Sequence, residues 1–371
     1  MARRMTTIKE VAKRAGVSIA TVSRVLNDQS NVTADARAKV MAAVQALDYR
    51  PSRVARRLRT KSTHVIGLII TDIQNLFYTS VTRGIEDVAS RNGYSLILCN
   101  TDEDADRERL YLEVMHDENV AGIILASATE TGHDPKLLNG HIPVVALDRL
   151  ITDVKVDTVL VDNVGGAKKA VSHLLSLGHR RIGLIRGQQE ITTSLERQAG
   201  YEQALKEYGL PIDPALIHQA DLRQVADSRQ QALDLLALPE RSRQQTLDLL
   251  ASLERPTALF TANTMITLGT LTAIHEIGLR IPDDIALVAF DDIPWATLLN
   301  PPLTAVPQPT YEIGTTAANM LLARLAKPDR PPTQVRLDVQ LVIRESCGAR
   351  QAGRLAATIL PNQSQEKEVV R

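Results

Sequence analysis

The amino-acid sequence predicts a small all-helical head followed by an α/β body of two lobes, each built on a doubly wound parallel sheet. Up to residue 47, apolar side chains recur every three or four positions, as on one face of a helix. After Lys61, short apolar runs alternate with helix-length amphipathic segments, which is typical of parallel sheets covered by helices. The length of 371 residues fits two or three domains of this kind.

The composition excludes several classes of protein. Charged residues make up 23% and apolar residues 44% of the chain, which excludes disorder throughout. The two cysteines, Cys99 and Cys347, are too few for a disulfide framework and fit a reducing compartment. No apolar run approaches the ~18 residues of a membrane span, and none follows the basic start as in a signal peptide. We therefore expect a cytoplasmic protein that does not enter a membrane.

The net charge of zero is made of two unequal parts. Residues 1–61 contain 14 basic and 4 acidic side chains, whereas the other 310 residues contain 29 basic and 39 acidic side chains. This asymmetry favours a basic, nucleic-acid-binding head on an acidic body. The alternative from charge alone is a solvated basic face.

A helix, a tight turn and a second helix are predicted at the start of the head. One apolar stripe runs along residues 8–15, Thr7 begins a Thr-x-x-Glu capping box, and Gly16 suits a C-terminal cap. Ser18 can cap the second helix, residues 19–26, which keeps small polar side chains and an arginine off its apolar face. This is the pattern of a helix-turn-helix.

The rest of the head is a predicted third helix, near residues 34–47, and a basic segment at 49–61. Pro51 ends the preceding helix, and four arginines surround Val54 and Leu58 in a short new one. A segment this basic cannot bury itself, so it either lies beside polyphosphate or stays disordered until it does.

The head resembles the lactose-repressor/galactose-repressor family of bacterial transcription regulators. Two segments carry the resemblance: Thr-Ile-Lys-Glu-Val-Ala-Lys-Arg-Ala-Gly-Val-Ser-Ile-Ala-Thr-Val-Ser-Arg-Val-Leu-Asn at 7–27 and Tyr-Arg-Pro-Ser-Arg-Val-Ala-Arg-Arg-Leu at 49–58. The resemblance implies a second helix in the operator major groove and a hinge helix at about 52–59, whose Leu58 enters the minor groove. The implied DNA contacts are Ile19, Ala20, Thr21, Ser23, Arg24, Asn27, Arg53, Ala55 and Leu58. For Ser23 and Asn27 the alternative is a helix-packing or capping role.

In the body, the predicted elements form two series. Buried strands are predicted at 65–70, 94–99, 122–126, 144–147 and 158–161 in the first series, and at 182–185, 258–261 and 285–290 in the second. Helices are predicted near 77–91, 105–118 and 164–177 in the first series, and near 192–208, 264–277 and 311–326 in the second. Each series predicts one lobe.

Ligands of doubly wound sheets bind at the carboxyl ends of the strands, which here predicts a cleft between the lobes. Asp, Asn, Arg and aromatic residues follow the strands and suit a small polyol, because carboxylates accept hydrogen bonds from hydroxyl groups and aromatic rings stack on the C–H faces of a sugar. The residues concerned are Asp72, Asn75, Phe77, Tyr78, Asp148, Arg149, Asp162, Asn163, the loop 187–197, Asn263, Asp291 and Asp292. For Asp72 and Asp162, capping of the following helix is an equal alternative.

The resemblance to the family continues to about Cys347, and implies lobes of the periplasmic-binding-protein type. Motifs such as Val161-Asp-Asn163, Arg197-Gln-Ala-Gly-Tyr201 and Phe290-Asp-Asp292 carry it. The implied effector contacts are Arg197 and Asp291 first, then Phe77, Tyr78, Asp148, Thr193, Asn263 and Gln308.

Two substitutions depart from the family pattern. Leu76 stands where the family has proline, and is expected to loosen the backbone there. Thr264 stands where the family commonly has aspartate, and is expected to remove a carboxylate from the first turn of its helix.

A third departure is a tandem repeat within residues 228–255. The segment Ser-Arg-Gln-Gln-Ala-Leu-Asp-Leu-Leu-Ala-Leu-Pro-Glu-Arg at 228–241 is followed by a second copy at 242–255, identical at 11 of 14 positions. Pro239 favours a break between the copies. Our hypothesis is a local duplication that forms a helical extension and alters or adds to the subunit interface.

These observations predict a helix-turn-helix domain at 1–49, a hinge helix and linker at 50–62, an effector-binding and dimerisation domain at 63–347, and a disordered tail at 348–371. The expected function is a repressor that binds a near-palindromic operator as a homodimer and responds to a small effector, a sugar or sugar derivative. The alternatives are control by a protein corepressor, as in the catabolite-control branch, and a solute-binding protein. No catalytic constellation, cofactor motif or metal-ligand spacing points to an enzyme.

Overall fold

The computed structural model of the chain describes residues 6–26, 32–49, 63–188, 191–220, 238–252 and 254–349. Two compact units are present, Met1–Thr63 and His64–Arg371. The predicted hinge helix and the predicted disordered tail beyond residue 349 lie outside the described residues. No helix within the described ranges is long and apolar enough to cross a membrane.

The head contains helices α1 (Ile8–Ala15), α2 (Ile19–Leu26) and α3 (Ala34–Ala46). The predicted capping box is confirmed, because Thr7 and Glu10 each accept a hydrogen bond from the other's backbone N–H. Gly16 takes the left-handed conformation, φ 66°, that ends α1 and starts the turn into α2. The core of the head is built from Val11, Ala12, Ala15, Val22, Val25, Val40, Ala43 and Tyr49.

The first lobe is a six-stranded parallel sheet with the strand order β11-β5-β4-β3-β1-β2. Its strands are β1 (Val65–Ile70), β2 (Ser95–Asn100), β3 (Gly122–Leu125), β4 (Val144–Leu147), β5 (Asp157–Val161) and β11 (Gln334–Leu337). Its helices are α4 (Leu76–Arg91), α5 (Ala105–Asp117), α6 (Pro135–Leu138) and α11 (Thr310–Ala326).

The second lobe is a five-stranded parallel sheet with the strand order β10-β9-β8-β6-β7. Its strands are β6 (Ile182–Arg186), β7 (Ile217–Gln219), β8 (Ala258–Thr261), β9 (Ala286–Phe290) and β10 (Thr304–Val306). Its helices are α7 (Asn163–Ser176), α8 (Thr192–Glu207), α9 (Leu238–Leu250) and α10 (Thr264–Glu276), with a 3₁₀ turn at Pro214–Leu216.

The chain crosses between the lobes after β5, after β10 and after β11, so chain order does not give lobe membership. The assignment of helix 164–177 to the first lobe was wrong, because α7 packs on α8, β9 and β10. The assignment of helix 311–326 to the second lobe was also wrong, because α11 packs on α4 in the first. Two glycines permit the close contact between α4 and α11. A Cβ on Gly84 would lie 2.3 Å from the Tyr311 carbonyl oxygen, and a Cβ on Gly314 would lie 2.1 Å from the Val81 carbonyl oxygen.

Apart from the hinge helix, which lies outside the described residues, the predicted strands and helices are otherwise confirmed, with ends that differ by one residue at most. The strands β7, β10 and β11 were not predicted. They are three or four residues long, and β7 and β11 are only partly buried, so they lack the continuous apolar run that marks a parallel strand.

The second copy of the repeat forms most of α9 and belongs to the lobe itself. Leu249 and Leu250 are buried, with Leu249 against Gly183 of β6. Thr246 Oγ1 donates to the Ser242 carbonyl oxygen at 2.7 Å and lies 3.2 Å from Thr270 Oγ1 on α10. The second copy is therefore part of the lobe core, and the helical extension and its effect on a subunit interface stay predictions. Residues 228–237 of the first copy lie outside the described residues.

The two copies differ at the buried hydroxyl, and this difference predicts unequal effects of deleting them. Deleting 228–241 keeps Thr246 beside Thr270, whereas deleting 242–255 places Ala232 there and removes a buried hydrogen-bond partner. We expect the second deletion variant to be less stable than the first by about 1–3 kcal/mol in urea unfolding. Thr246→Ala in the full chain should lose a similar amount and Thr246→Ser much less. Equal stability of the two deletion variants would contradict this account.

Candidate functional site

A cavity of about 460 Å³ lies where the carboxyl ends of the two sheets face each other. Its volume is in the range of small-molecule sites. All eight side chains predicted to contact an effector line it: Phe77, Tyr78, Asp148, Thr193, Arg197, Asn263, Asp291 and Gln308. Asp72, Asn75 and Arg149, which also follow predicted strands, line it as well.

Three other strand-end residues do not line this cavity. Asp162 caps α7 by accepting a hydrogen bond from the Gly165 N–H, as its alternative interpretation predicted. Asn163 is buried and accepts a hydrogen bond from Arg197. Asp292 forms a two-point ion pair with Arg344, whose nitrogens lie 2.9 and 2.6 Å from its oxygens.

The first-lobe wall is organised around Asp148, which follows β4 in the left-handed conformation with φ 68°. Tyr78, at the start of α4, donates its hydroxyl hydrogen to Asp148 Oδ2 at 2.9 Å. Burial raises the pKa of the Asp148 carboxyl above its ordinary value, although Arg149 and Arg197 act in the opposite direction. Burial, followed by the charge of Asp148, also raises the pKa of the Tyr78 hydroxyl.

Arg149 is held beside the cavity by Glu103, a residue of the loop after β2. The two terminal nitrogens of its guanidinium each lie 2.6 Å from a Glu103 oxygen, in a two-point pair, and one also donates to the Ser127 carbonyl oxygen at 3.1 Å. Four acidic residues between the end of β2 and the first turn of α5 line the cavity: Asp102, Glu103, Asp104 and Asp106. They were not predicted, because acidic residues in a loop or at the start of a helix are usually solvated.

The second-lobe wall is organised around Arg197 on α8. Its guanidinium stacks on the Phe290 ring, with Cζ 3.9 Å from the ring centre. Arg197 as a whole is 5% exposed. Its Nε donates to Asn163 Oδ1 at 2.9 Å, and another nitrogen donates to the Ala262 carbonyl oxygen. The orientation of the guanidinium is therefore fixed before any ligand binds.

Asp291 follows β9 as Asp148 follows β4, again with a left-handed backbone, φ 73°. Gln308 donates to its Oδ1 at 2.6 Å, and the Thr264 N–H donates to its Oδ2 at 3.3 Å. As expected, the first turn of α10 contains no acidic residue. Asp291 nevertheless supplies a carboxylate to this helix end from the residue that follows β9. Asn263 caps the same helix by accepting from the Ile266 N–H.

Leu76 begins α4, where Asn75 caps the helix by accepting from the Phe77 N–H at 3.1 Å. The first turn is therefore formed without the family's proline. The predicted loosening of this backbone stays a prediction.

Several polar atoms at the cavity are buried without a hydrogen-bond partner among the residues that the structure describes. They are both side-chain heteroatoms of Gln188, Oγ of Ser194, Oε1 of Gln308 and Nε of Arg149. Donors and acceptors are both present in this set. Gln188 and Ser194 belong to the predicted segment 187–197 but were not singled out within it, because neither follows a strand directly or belongs to a recognisable motif.

The charge of the cavity lining is negative. Among the described residues, seven carboxylates line it, those of Asp72, Asp102, Glu103, Asp104, Asp106, Asp148 and Asp291, against the two guanidiniums of Arg149 and Arg197. Both guanidiniums already have acceptors in the protein. This arrangement disfavours anionic ligands and favours a neutral molecule with many hydroxyl groups.

The predicted DNA contacts that the structure describes lie together on α2. Ile19, Ala20 and Arg24 are exposed, while Thr21 and Ser23 are half-buried. Ser18 accepts a hydrogen bond from the Thr21 N–H at 3.1 Å, which confirms the predicted cap. The remaining predicted contacts, Asn27, Arg53, Ala55 and Leu58, lie outside the described residues.

Two family models match the chain. Residues 7–52 match "Bacterial regulatory proteins, lacI family" and residues 171–347 match "Periplasmic binding protein-like domain". The ribose operon repressor of Halalkalibacterium halodurans is 36% identical over 344 residues, which cover 92% of this chain and 97% of that protein. Catabolite control protein A of Priestia megaterium is 35% identical over 342 residues, which cover 92% of this chain and 98% of that protein.

Solved structures share the fold at lower identity. The lac repressor dimer bound to operator and the anti-inducer ONPF matches with a TM-score of 0.77 and 27% identity, covering 93% of this chain and 99% of that one. A LacI family transcriptional regulator from Enterococcus faecium with bound ribose matches with a TM-score of 0.64 and 28% identity, covering 76% of this chain and 98% of that one.

The buried carboxyl of Asp148 is expected to lower the stability of the folded chain at neutral pH. Because burial raises its pKa, the ionised group disfavours folding, and Asp148→Asn is expected to raise the Tm at neutral pH. The gain should shrink as the pH falls through the raised pKa and disappear below the ordinary value of 3.8, where the wild-type carboxyl is protonated in both the folded and the unfolded state. Thermal unfolding between pH 3.5 and 8, with exposed Asp117→Asn as the control, measures this. A Tm gain that does not depend on pH would contradict it.

Proposed function

The chain belongs to the lacI family of bacterial regulatory proteins and is a DNA-binding transcriptional repressor, not an enzyme; we propose that a neutral monosaccharide controls it. The repressor binds a near-palindromic operator as a homodimer, with α2 of each subunit in one major groove. The sugar binds in the cleft between the lobes and changes their closure. The observation that carries this proposal is the cavity lining, with its surplus of carboxylates and with donors and acceptors that have no partner in the part of the chain that the structure describes.

The exposed face of α2 supports the role in operator recognition. Ile19 is 44% exposed although it is apolar, and an exposed apolar side chain here suits contact with a thymine methyl group. Arg24 is exposed near the end of the same helix and suits a base edge or a phosphate. The net charge of +10 on residues 1–61 adds attraction to the DNA backbone that does not depend on sequence.

The edge of the first-lobe sheet supports a homodimer. The edge strand β2 exposes Ile97 and Leu98, each at 39%, and the neighbouring helix α5 exposes Leu110 and Val114. An exposed apolar edge strand is a liability that a second subunit removes. The lac repressor matched above was solved as a dimer on its operator.

Ribose is the first sugar to test. A relative is named a ribose operon repressor, and a solved neighbour holds ribose. The cavity of about 460 Å³ suits one monosaccharide. A sugar phosphate is disfavoured because a dianion would meet seven carboxylates, while both cavity arginines are already engaged.

A protein corepressor is the second candidate. The chain is 35% identical to a catabolite control protein, and Arg83-Gly-Ile-Glu86 also resembles that branch. Arg83 is exposed on α4, where it pairs with Glu86 and Asp87 at 3.3 Å. Operator binding that no sugar changes in the purified chain would favour this candidate over the sugar-controlled repressor.

Gln308→Leu is the sharpest test of the cavity. The substitution removes the Gln308 amide N–H that donates to Asp291, and it removes Gln308 Oε1, which has no partner among the described residues. The affinity for D-ribose should therefore fall about 10- to 100-fold in calorimetry. Exposed Gln244→Leu, the same substitution on α9, should bind as the wild type does. Ribose 5-phosphate should bind far more weakly than D-ribose. Binding of D-ribose by Gln308→Leu at wild-type affinity would exclude the cavity as its site.

Arg24→Ala tests the DNA-binding surface. Loss of this contact should weaken operator binding about tenfold or more in fluorescence anisotropy, whereas exposed Arg280→Ala in the second lobe should change nothing. A fragment that lacks residues 1–61 should not bind DNA, and non-specific binding by the full chain should fall steeply with salt. Wild-type operator affinity in Arg24→Ala would argue against this use of α2.

A further inference from the structure

Helix α8 begins without a capping side chain of its own. Its N-cap residue is Ile191, whose apolar side chain cannot accept a hydrogen bond from the first-turn amides. The helix starts with Thr192-Thr193-Ser194 and carries no acidic residue in its first turn. The partial positive charge of this helix end therefore has no compensation from within the helix.

The missing cap is supplied from the other lobe. Glu130, in the first-lobe segment between β3 and α6, accepts hydrogen bonds on one carboxylate oxygen from both the N–H and the hydroxyl of Thr192. A carboxylate at the positive end of a helix is a favourable arrangement that is lost once the two groups separate. Glu130 does not line the cavity, although its neighbour Thr129 does.

The segment that carries Glu130 is fixed to the first lobe close to the carboxylate. The backbone N–H and the hydroxyl of Thr152 both donate to the Glu130 carbonyl oxygen, at 3.0 and 3.1 Å. The segment therefore cannot follow α8 if the second lobe moves away.

A polar cluster, in which Ser127 and Glu108 are buried, fixes the same segment on both sides of Glu130. The His133 ring lies between Ser127 Oγ, 2.9 Å from its Nε2, and Asp153 Oδ1, 3.0 Å from its Nδ1. The Glu108 carboxylate accepts from Ser127 Oγ at 2.9 Å and from the Ala128 N–H at 2.6 Å. Opening of the cleft must consequently break the contact between Glu130 and Thr192.

We propose that Glu130 is a latch that holds the two lobes closed by capping α8 across the cleft. Because α8 carries Thr193, Ser194 and Arg197 of the cavity wall, the latch also positions these side chains for a ligand. Glu130 is a positioning residue in this role, and it touches no ligand. Its effect on ligand affinity rests on the proposed function, whereas its effect on closure does not.

The latch changes the apparent affinity of any ligand that needs the closed cleft. Apparent affinity scales with the fraction of molecules in the competent state, so a variant that opens the cleft binds more weakly even with an intact cavity. Loss of one helix cap is expected to weaken D-ribose binding about 3- to 10-fold.

Closure can be measured without ligand and without DNA. Nitroxide labels at Arg109→Cys on α5 and Gln244→Cys on α9, both exposed, report the distance between the lobes in a Cys99→Ser background. Dilution of labelled chain into unlabelled chain isolates distances within one subunit. Glu130→Ala and Thr192→Val should each shift the distance distribution to longer values, and exposed Glu113→Gln on α5 should not.

A variant with both substitutions tests whether Glu130 and Thr192 act through their mutual contact or independently. If Glu130 and Thr192 act on each other, Glu130→Ala with Thr192→Val should open the cleft no further than Glu130→Ala alone. Glu130→Gln, which keeps an acceptor and removes the charge, should fall between wild type and Glu130→Ala.

Unchanged distances in Glu130→Ala would overturn the latch, as would fully additive effects of the two substitutions. Failure of the wild-type chain to bind D-ribose would overturn the proposed effector alone, because the distances are measured without it.

Discussion

The parallel direction of both sheets is the constraint on which the rest of the structure depends. All strands of a parallel sheet end at the same edge, so the loops that follow them collect there. Because the chain passes between the lobes three times, these two edges face one cleft. Asp148 and Asp291 occupy matching places after β4 and β9, and both take a left-handed backbone that aspartate tolerates better than most residues.

The cleft concentrates polar groups at the expense of stability. Burial raises the pKa of the Asp148 carboxyl, and Gln188 and Ser194 bury polar atoms without a partner among the described residues. Each such group disfavours folding, and a ligand that supplies its missing partner recovers that free energy in the bound state. A ligand that supplies partners from both walls therefore favours closure, which is how a small molecule can bias two arrangements of the same lobes.

Burial also decides between two nearly identical sequence segments. The second copy of the repeat packs its leucines under β6 and pairs Thr246 with Thr270, so it serves as a helix of the lobe. The copies differ by only three residues, and one of the three is this buried hydroxyl. Sequence identity alone could not show which copy the lobe uses, because the buried Leu249 and Leu250 have counterparts in the first copy, Leu235 and Leu236.

The sequence by itself determined most of the helices, the longer strands and the residue types at the cleft. Capping at Thr7, apolar runs such as 65–70 and polar residues directly after strands are local signals, and each depends on neighbours within a few positions. Only the tertiary structure decided that α7 belongs to the second lobe and α11 to the first, that Glu103 holds Arg149, and that Glu130 caps α8. These contacts join residues that are far apart in the chain, and no local pattern encodes which distant partner a side chain meets.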